Sequence, residues 1–260
     1  MKAVITGGTK GVGLELVKFM KEKNIPTIFT GRHIEEVFSV QQDLKSSTIH
    51  GMELDLTSMY SIERFLTKIK SSRIQPNILI HNAGYLSLHP YEKARNIQKL
   101  FMVNSIGPIA ITQHLLPSMM QQNYGHIIFN APPLQFDKKL KYLTPYLQSK
   151  FAQTTYMKSL AYLLKDKKIS CNSCWTSFPL WTDAIKKRKI GTKEECMDPA
   201  IISKMMEEII FNENPLTFKG NELVDKDYLT SKNIDLSQFA LGQKSGISLD
   251  DLFLKKLDKL

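Results

Sequence analysis

The sequence predicts an α/β fold, in which one doubly wound domain of about seven parallel strands carries helices on both faces. Two observations predict this class. Short apolar runs suited to buried strands alternate with segments of helical periodicity, in the order β-α-β-α-β-α-β over the first third of the chain. The first apolar run also ends in a glycine-rich turn that leads directly into a helix. Connections between parallel strands are right-handed, so successive helices are expected to cover the sheet.

Length and composition agree with a single domain over residues 1–260. A chain of 260 residues can bury one substantial core. No apolar run approaches the roughly 20 residues that a membrane helix needs, and the first strand begins too early to leave room for a signal peptide. We therefore expect a soluble, cytoplasmic protein with no membrane partner.

The net charge is +10, from 35 Lys and Arg residues against 25 Asp and Glu residues. The basic residues are scattered over most of the chain, whereas nucleic-acid binding favours a concentrated basic face with interleaved aromatic residues. We therefore expect no nucleic-acid partner. The densest basic cluster, residues 186–189, resembles a nuclear-import patch, and a solvated loop is the simpler interpretation.

The three cysteines are too few for a disulfide framework, which fits a reducing compartment. Cys171 and Cys174 form a lone C-x-x-C pair. Three-residue separation on a strand sends the two thiols to opposite faces, so we expect neither a metal site nor redox chemistry there.

The glycine-rich turn follows the first strand, Ala3 to Ile5, and contains Gly7, Gly8, Gly11 and Gly13. Glycines let the backbone adopt positive φ and approach a pyrophosphate closely, and the free N–H groups at a helix start attract the anion. The spacing is T-G-x-x-x-G-x-G, which meets the general dinucleotide fingerprint only loosely. A glycine-rich turn without a ligand is the alternative.

The second strand, Thr27 to Thr30, ends at Gly31 and Arg32. In a doubly wound sheet this end faces the adenosine ribose, where a carboxylate binds the 2′-hydroxyl of NAD and an arginine pairs with the 2′-phosphate of NADP. The sequence offers no carboxylate at the strand end, and Lys10 in the glycine turn adds a second cation. We therefore expect NADP, with NAD less favoured; a simple surface arginine is the alternative.

The later segments continue the alternation of strands and helices. The predicted strands lie near 48–54, 78–81, 126–130, 169–175 and 222–225. The predicted helices lie near 12–22, 34–44, 58–70, around residue 104, from 146 to 163, and from 199 to 211. The tail, residues 231–260, remains unassigned apart from a short amphipathic helix near 249–257.

Tyr146 and Lys150 are four residues apart on a predicted helix, so their side chains share a face. A nearby ammonium favours the phenolate and lowers the tyrosine pKa toward working pH, as a general acid/base for a carbonyl/alcohol pair requires. Tyr228 and Lys232 have the same spacing, but they follow the last predicted strand. The order of motifs along the chain therefore favours Tyr146.

Taken together, these motifs resemble those of the short-chain dehydrogenases/reductases. The resemblance covers most of the chain and rests on the glycine turn, Asp55, Asn82-Ala83-Gly84 with His81 before it, Asn104, and Tyr146-x-x-x-Lys150. A closer likeness to the hydroxysteroid dehydrogenase-like subgroup rests on residues 126–128, 132–134 and 218–225. The resemblance implies a Rossmann-type fold and hydride transfer between a nicotinamide cofactor and a small-molecule carbonyl or alcohol.

The resemblance also implies residue roles. Tyr146 is the expected proton donor or acceptor, Lys150 holds the nicotinamide ribose and tunes the tyrosine, and Asn104 supports a proton-relay water, with a helix kink as the alternative for Asn104. Thr182 is expected to contact the carboxamide, and the helices of Asn104 and Tyr146 to form homodimer or homotetramer faces. The remaining implied cofactor contacts are Gly7, Thr9, Lys10, Gly11, Val12, Gly13, Arg32, Asp55, Leu56, Asn82, Ala83 and Gly84.

Two departures from the family pattern put ordinary catalysis in question. The catalytic serine expected after strand five is absent from Ala131, Pro132 and Pro133, and alignment on the prolines puts Ala131 in its place. Loss of one such donor costs other enzymes about 100- to 1000-fold in turnover. The Pro-Gly turn expected after strand six is replaced by residues 176–179, Thr-Ser-Phe-Pro.

Residues 183–199 correspond to the segment that forms a mobile substrate lid in the family, and we call them the lid. Their basic residues indicate either an anionic substrate or solvated lysines. Two functional hypotheses follow for the whole chain. One is an NADP-dependent short-chain oxidoreductase; the other is a cofactor-binding protein that has lost catalysis and acts as a regulatory or binding module.

Overall fold

The computed structural model describes residues 1–72, 74–87, 93–135 and 143–252. Seven strands form one sheet. They are β1 (Ala3–Ile5), β2 (Thr27–Gly31), β3 (Ile49–Glu53), β4 (Ile78–His81), β5 (Gly125–Asn130), β6 (Ile169–Trp175) and β7 (Glu222–Val224).

The α-helices within these residues alternate with the strands over most of the chain. They are α1 (Gly11–Glu22), α2 (Ile34–Leu44), α3 (Met59–Ser71), α4 (Ala94–Phe101), α5 (Gly107–Gln122), α6 (Thr144–Leu163), α7 (Asp183–Arg188), α8 (Ala200–Glu207) and α9 (Asp225–Ser231). π-Helical turns at Met102–Ile106 and Glu208–Asn212 continue α4 and α8, and short 3-10 helices cover Lys193–Glu195 and Leu236–Phe239.

The sheet is entirely parallel, and its strand order is β3-β2-β1-β4-β5-β6-β7. The order reverses between β1 and β4, where Ala3 pairs with Thr27 on one side and with Ile78 on the other. Ligands of such sheets bind in the crevice outside the carboxyl ends of the strands at this reversal. The predicted doubly wound α/β class is therefore confirmed, and the crevice lies beside the glycine turn.

Two apolar layers cover the faces of the sheet, because successive residues of a strand point to opposite sides. Ile5 of β1 belongs to one layer and the adjacent Val4 to the other. Full burial of each such side chain contributes roughly 1.5–3 kcal/mol. Cys171 and Cys174 of β6 also fall in different layers, as their spacing predicts.

Most predicted helices begin and end within a few residues of the observed bounds. Ser58 is the N-cap of α3, and its hydroxyl accepts a hydrogen bond from the backbone N–H of Ser61 at 3.3 Å. The predicted helix near residues 249–257 is helical at 249–252, and the rest lies outside the described residues. Within the described ranges, every helix is too short or too polar to cross a bilayer.

Candidate active site

The glycine turn joins β1 to α1 in a conformation that side chains would obstruct. Gly7 and Gly11 have φ values of +69° and +53°, which L-residues other than glycine rarely adopt. A Cβ atom on Gly13 would lie 1.9 Å from the Gly7 carbonyl oxygen, so α1 can start against the turn only with glycine there. The turn therefore allows the close backbone approach that a pyrophosphate needs.

The Asn82-Ala83 segment after β4 anchors this turn. The Asn82 amide nitrogen donates to the carbonyl oxygens of Thr6 and Gly7, at 3.2 and 3.1 Å. The Ala83 N–H donates to the Thr6 hydroxyl at 3.1 Å. Both residues were predicted as cofactor contacts. The structure gives them a positioning role, since they hold the glycine turn against the end of the neighbouring strand.

Asp55 and Leu56 follow β3 at the same edge of the sheet. One Asp55 carboxylate oxygen accepts hydrogen bonds from the backbone N–H and the hydroxyl of Thr57, at 2.9 and 2.8 Å, and the Asp55 N–H donates to the Ser61 hydroxyl. Leu56 is buried in the apolar layer beside α3. The Asp55 carboxylate thus shapes the turn that leads into α3. Leu56 packs this turn against the core.

A carboxylate that the interpretation of the strand end did not include lies beside Lys10 of the glycine turn. Glu36, in the first turn of α2, forms an ion pair with Lys10 at 2.5 Å. The hydrogen bond from Lys10 lowers the pKa of Glu36; burial opposes this shift, and the positive charges of Lys10, His33 and Lys187 reinforce it. Arg32 is exposed, and its Nε donates to His33 at 3.1 Å. Glu36 was missed because it is five residues beyond the end of β2, in the first turn of α2.

Lys150 is a buried side chain on α6. Its Nζ atom donates to the Asn130 carbonyl oxygen at 2.6 Å, and a Cβ atom on Gly84 would lie 3.5 Å from it. Burial lowers the pKa of Lys150 to about 7. Gly84 and the end of β5 thus bound the space around the ammonium from two sides.

Tyr146 lies one helical turn before Lys150, half-buried in the wall of a cavity. Burial raises the pKa of Tyr146, and the positive charge of Arg188 opposes that shift. The expectation that Lys150 lowers this pKa is therefore wrong for the structure as it stands. The physical reason is that the phenol packs among apolar side chains, while the Lys150 ammonium is bound to the Asn130 carbonyl.

Asn104 lies in the π-helical turn between α4 and α5 and is fully buried. Its Oδ1 atom accepts from the Tyr85 N–H at 2.8 Å, and its Nδ2 atom donates to the Tyr85 carbonyl and the Ser149 hydroxyl, both at 2.9 Å. Ser149 in turn donates to the Tyr146 carbonyl at 2.6 Å. The helix is irregular at this residue, as the alternative of a kink indicates, and the Asn104 amide ties the loop after β4 to the helix of Tyr146.

The end of β5 presents a different residue to the cavity than the alignment indicates. Ala131 is fully buried in the apolar layer that contains Leu79 and Phe129. The residues from this end that line the cavity are Asn130, Pro132 and Pro133. Ala131 is therefore the wrong position for the missing serine, because a hydroxyl there would point into the core. Pro132, whose carbonyl accepts a hydrogen bond from Thr154 at 2.7 Å, faces the cavity instead.

The cavity has a volume of about 440 Å³ and adjoins Tyr146. Its wall is mostly apolar, with side chains from the loop after β4, α6, the turn after β6 and α7. These include Leu86, Leu143, Leu147, Phe151, Phe178 and Ile185. Such a wall suits an apolar small molecule.

The segment that replaces the Pro-Gly turn is held by a buried aspartate. The hydroxyls of Thr176 and Ser177 each donate to Asp225 at 2.7 Å, and the Ser177 N–H donates to the same carboxylate at 2.8 Å. Asp225 is fully buried at the start of α9. Sequence reasoning missed this contact because the partners are 48 and 49 residues apart.

The C-terminal tail forms part of the cavity wall. The Leu249 N–H donates to the Ser177 carbonyl at 2.7 Å, and Ser248, Leu249 and Asp250 line the cavity. Leu252 is buried against the lid. No local pattern in the sequence indicates that the tail returns to the site.

Thr182 connects the cavity with the glycine turn. It lines the cavity, and its Cβ atom lies 3.3 Å from the position that a Cβ on Gly11 would occupy. Val12, the second residue of α1, lines the same cavity. Three of the predicted site residues, Val12, Tyr146 and Thr182, therefore line one cavity, although they come from three separate parts of the chain.

The comparisons with known proteins agree with this geometry. The family model for short chain dehydrogenases matches residues 1–190. Human 17-beta-hydroxysteroid dehydrogenase 13 is 32% identical over 164 residues, which is 60% of this chain and 53% of that protein. Human dehydrogenase/reductase SDR family member 13 is 27% identical over 186 residues, 65% of this chain and 49% of that protein. The aligned part of the chain thus spans about half the length of these two relatives.

Solved structures match over more of the chain, at lower identity. A short chain dehydrogenase from Mycobacterium thermoresistibile has a TM-score of 0.84 at 19% identity, over 95% of this chain and 94% of that one. A metagenomic short-chain oxidoreductase in complex with NADP and a 4-hydroxyisoleucine dehydrogenase complexed with NADH both have TM-scores of 0.71, over 86% of this chain and 96% of theirs. At 19% and 20% identity, these matches establish the fold and leave the choice between NADP and NADH open.

Proposed function

The chain belongs to the short-chain dehydrogenase family, and from that premise we propose that it is an NADP-dependent oxidoreductase acting on a small-molecule carbonyl or secondary alcohol. One observation carries this proposal. Tyr146, Thr182 and Val12 line a single apolar cavity beside the glycine turn. A dinucleotide held by that turn reaches the phenol only if the two regions adjoin, as they do here.

The residues at the carboxyl edge of the sheet fit a dinucleotide. Gly7 and Gly11 have positive φ, and the space that a Cβ on Gly13 would fill is taken by the Gly7 carbonyl. Exposed backbone N–H groups at the start of α1 would hold the pyrophosphate. The cofactor, when bound, supplies or accepts the hydride. The other cofactor-binding roles implied by the resemblance, including those of Thr9 and Thr182, are part of this proposal.

The choice of NADP rests on Lys10 and Arg32. Arg32 is exposed at the end of β2, and Lys10 is paired with Glu36 across the adenosine end of the crevice. A 2′-phosphate carries more negative charge than one carboxylate and competes with Glu36 for the Lys10 ammonium. Titration with NADPH and NADH tests the choice. We expect tighter binding of NADPH, and equal or weaker binding of NADPH would overturn it.

Tyr146 is the proposed acid in carbonyl reduction. Because burial raises the pKa of Tyr146, the hydroxyl is protonated at neutral pH and can donate to a substrate oxygen. Lys150, with its pKa near 7, stands one helical turn away and would orient the ribose of the cofactor. Asn104 holds the helix of Tyr146 through Ser149, and the proposed relay water would lie beside it.

Turnover assays test the enzymatic proposal. Purified protein with NADPH and a panel of ketones, aldehydes and acyl thioesters should oxidise the cofactor faster than a Tyr146→Phe variant does. Apolar members of the panel should react best, since the cavity wall is mostly apolar. If no compound is turned over above the variant, the proposal fails.

The second hypothesis, a cofactor-binding protein without catalysis, has one observation in its favour. From the end of β5 and the described residues after it, only Asn130, Pro132, Pro133 and Gln135 line the cavity, and none carries a hydroxyl. A Pro132→Ser variant separates the hypotheses, with Ala131→Ser as the matched control because Ala131 faces the core. Activity that appears only in Pro132→Ser supports loss of catalysis; activity in the parent chain rules that loss out.

The same family membership supports a homodimer or homotetramer. Ile106 and Met120, at the two ends of α5, are 44% and 36% exposed, and Tyr162 near the end of α6 is 78% exposed. Apolar surface of this kind on the helices of Asn104 and Tyr146 suits contact with a second copy. The mass in solution tests this, and a monomer at micromolar concentration would contradict it.

A further inference from the structure

The last described residues form a helical turn, 249–252, with Ser248 as its N-cap, and we call residues 248–252 the tail turn. The Ser248 hydroxyl accepts a hydrogen bond from the Asp251 N–H at 3.0 Å, and the Ser248 carbonyl accepts one from the Leu252 N–H at 3.1 Å. A serine hydroxyl is a favoured N-cap because it pairs a backbone donor that has no partner within the helix. The tail turn therefore has a defined local conformation.

Two contacts fix the tail turn against the substrate side of the crevice. The Leu249 N–H donates to the Ser177 carbonyl at 2.7 Å. Leu252 is buried in an apolar cluster with Ile185 and Ile190 of the lid. A Cβ atom on Gly191 would lie 2.8 Å from the Leu252 Cδ2 atom, so the leucine packs directly against the lid backbone at this glycine. Leu252 thus anchors the tail turn to the lid.

The tail before this turn is also bonded to the lid. The Ser245 hydroxyl donates to the Cys196 carbonyl at 2.7 Å, and the Leu241 N–H donates to the same carbonyl at 3.3 Å. The Asp198 N–H donates to the Phe239 carbonyl at 2.7 Å. Because these bonds join the second half of the lid to residues 239–245, the lid and the tail form one packed unit.

Leu249 lies between these anchors and forms part of the cavity wall. Ser248, Leu249 and Asp250 line the cavity, and Leu249 is the bulky apolar member of the three. The Leu249 side chain packs against the apolar cluster that Tyr146 also contacts. One methylene group more or less in a hydrophobic pocket changes discrimination by about 10- to 200-fold. Leu249 is therefore placed to limit the size of a substrate beside the phenol.

The charges around the cavity do not suit an anionic substrate. Among the described residues that line the cavity there is no lysine, arginine or histidine, and Asp250 is the charged residue of that lining. Basic residues of the lid have other contacts: the Lys186 ammonium lies 5.1 Å from the ring centre of Trp181, and the Arg188 Nη2 atom donates to the Leu86 carbonyl at 3.2 Å. The hypothesis of an anionic substrate therefore loses its support.

We propose that the tail turn is the specificity-determining wall of this site. Leu249 limits the length of an uncharged, apolar carbonyl or alcohol substrate, and Leu252 is a positioning residue that holds Leu249 in place through the lid. The inference rests on the proposed function, because it concerns the substrate of the same cavity. It adds the substrate's charge, and the residue that limits its size.

A series of straight-chain methyl ketones of increasing length, assayed with NADPH, tests the role of Leu249. Leu249→Ala shortens the side chain to a methyl group. The kcat/KM ratio of the next longer ketone to the best ketone of the parent chain should therefore rise by about tenfold or more. Leu249→Phe adds volume and should shift the preference to shorter ketones. The Kd for NADPH should stay within about twofold in both variants.

Ile247→Ala is the matched control. Ile247 packs against the same apolar cluster and, like Leu252, is outside the described lining of the cavity. Ile247→Ala should therefore keep the order of preference of the parent chain. Leu252→Ala should change that order, because it releases the tail turn. An equal change in Ile247→Ala and Leu249→Ala would reduce the tail to a structural element and overturn the inference.

A double variant tests the contact between Leu252 and the lid without any assay of turnover. Gly191→Ala alone should lower the Tm by several degrees, because its new Cβ atom would meet the Leu252 side chain. In a Leu252→Ala background the same substitution should lower the Tm by less, since the space beside the glycine is then free. Equal losses in the two backgrounds would contradict the anchoring role of Leu252.

Ligand binding separates failure of this inference from failure of the proposed function. Trp175 lines the cavity, so quenching of tryptophan fluorescence by the same ketones in the presence of NADPH measures their binding. Absence of turnover together with a Leu249-dependent order of ketone affinities would overturn the proposed oxidoreductase function alone. An order that neither Leu249→Ala nor Leu249→Phe changes, in turnover or in binding, would overturn the inference alone. If Leu249→Ala loses the cooperative unfolding transition, Leu249→Phe decides.

Discussion

The two halves of the crevice are built in different ways. On the cofactor side, β1 to β4 and their turns supply backbone: Gly7 and Gly11 at positive φ, and Asn82 bonded to two main-chain carbonyls. On the substrate side, side chains from the loop after β4, α6, α7 and the tail enclose one apolar cavity. The comparison shows that the cofactor side is formed mainly by backbone, which Asn82 holds in place from 75 and 76 residues away, and the substrate side by side chains of distant segments.

This difference also marks where the chain departs from its family. The glycine turn and the residues that anchor it match the motifs of the resemblance, whereas residues 131–133 after β5 lack the hydroxyl, and residues 176–179 after β6 lack the Pro-Gly turn, that the resemblance implies. Asp225 at the start of α9 holds Thr176 and Ser177 in the segment after β6. Substitutions on the cofactor side should therefore change NADPH affinity and stability. Substitutions on the substrate side should change turnover and specificity.

Tyr146→Phe should have the largest effect and should act on the substrate side alone. Removal of the hydroxyl eliminates the proton donor, so turnover of an active panel compound should fall by about 1000-fold or more. The Kd for NADPH, measured by fluorescence titration, should change less than about threefold. A comparable loss of NADPH affinity would mean that the two sides are not separable.

Gly13→Ala should damage the cofactor side through its backbone. The new Cβ atom would lie 1.9 Å from the Gly7 carbonyl, which cannot move without disturbing the turn. We expect a loss of about 3 kcal/mol in the free energy of unfolding, measured by urea denaturation, together with weaker NADPH binding.

Gly84→Ala is the matched control for that variant. The nearest atoms to its new Cβ would be the Lys150 Nζ and the Asn104 Oδ1, at 3.5 and 3.7 Å, which are ordinary contact distances. The free energy of unfolding should fall by less than about 1 kcal/mol in this variant. Equal losses in the two variants would contradict the account of the turn.

Lys150 should make the stability of the fold depend on pH. Burial lowers the pKa of Lys150 to about 7, whereas an unfolded chain keeps the ordinary value of 10.5. Between these values the unfolded state binds the extra proton, so the free energy of unfolding should rise with pH, by up to about 1.4 kcal/mol per unit, and level off below pH 7. The free energy of unfolding of the parent chain and of Lys150→Met, measured from pH 6 to 10, tests this prediction. The same pH dependence in both chains would contradict the burial of a titrating ammonium.

Glu36→Gln should have the smallest effect and sharpen the distinction within the cofactor side. The Lys10–Glu36 pair is partly exposed, so its removal should release Lys10 at a gain of no more than about 1 kcal/mol, or about threefold to fivefold in NADPH affinity. NADH affinity should stay the same or decrease. A gain for both cofactors alike would show that Glu36 acts on the turn as a whole and does not compete with a 2′-phosphate.

The sequence alone determined the parts of this protein that depend on short stretches of chain. Alternating apolar periods predict a doubly wound sheet, because strand and helix periodicities are local properties. The glycine spacing predicts the turn, since positive φ and close approach constrain single residues. The helical spacing of Tyr146 and Lys150 places both on one face, and the structure agrees.

Tertiary structure decided everything that requires contact across the fold. It brought the tail to the cavity and Asp225 to the turn after β6, paired Lys10 with Glu36, and turned Ala131 into the core while Pro132 faces the cavity. It also reversed the expected direction of the Tyr146 pKa, because burial depends on the whole wall around the phenol. Sequence spacing carries no information on such contacts, since the partners lie tens of residues apart and meet only when the sheet is assembled.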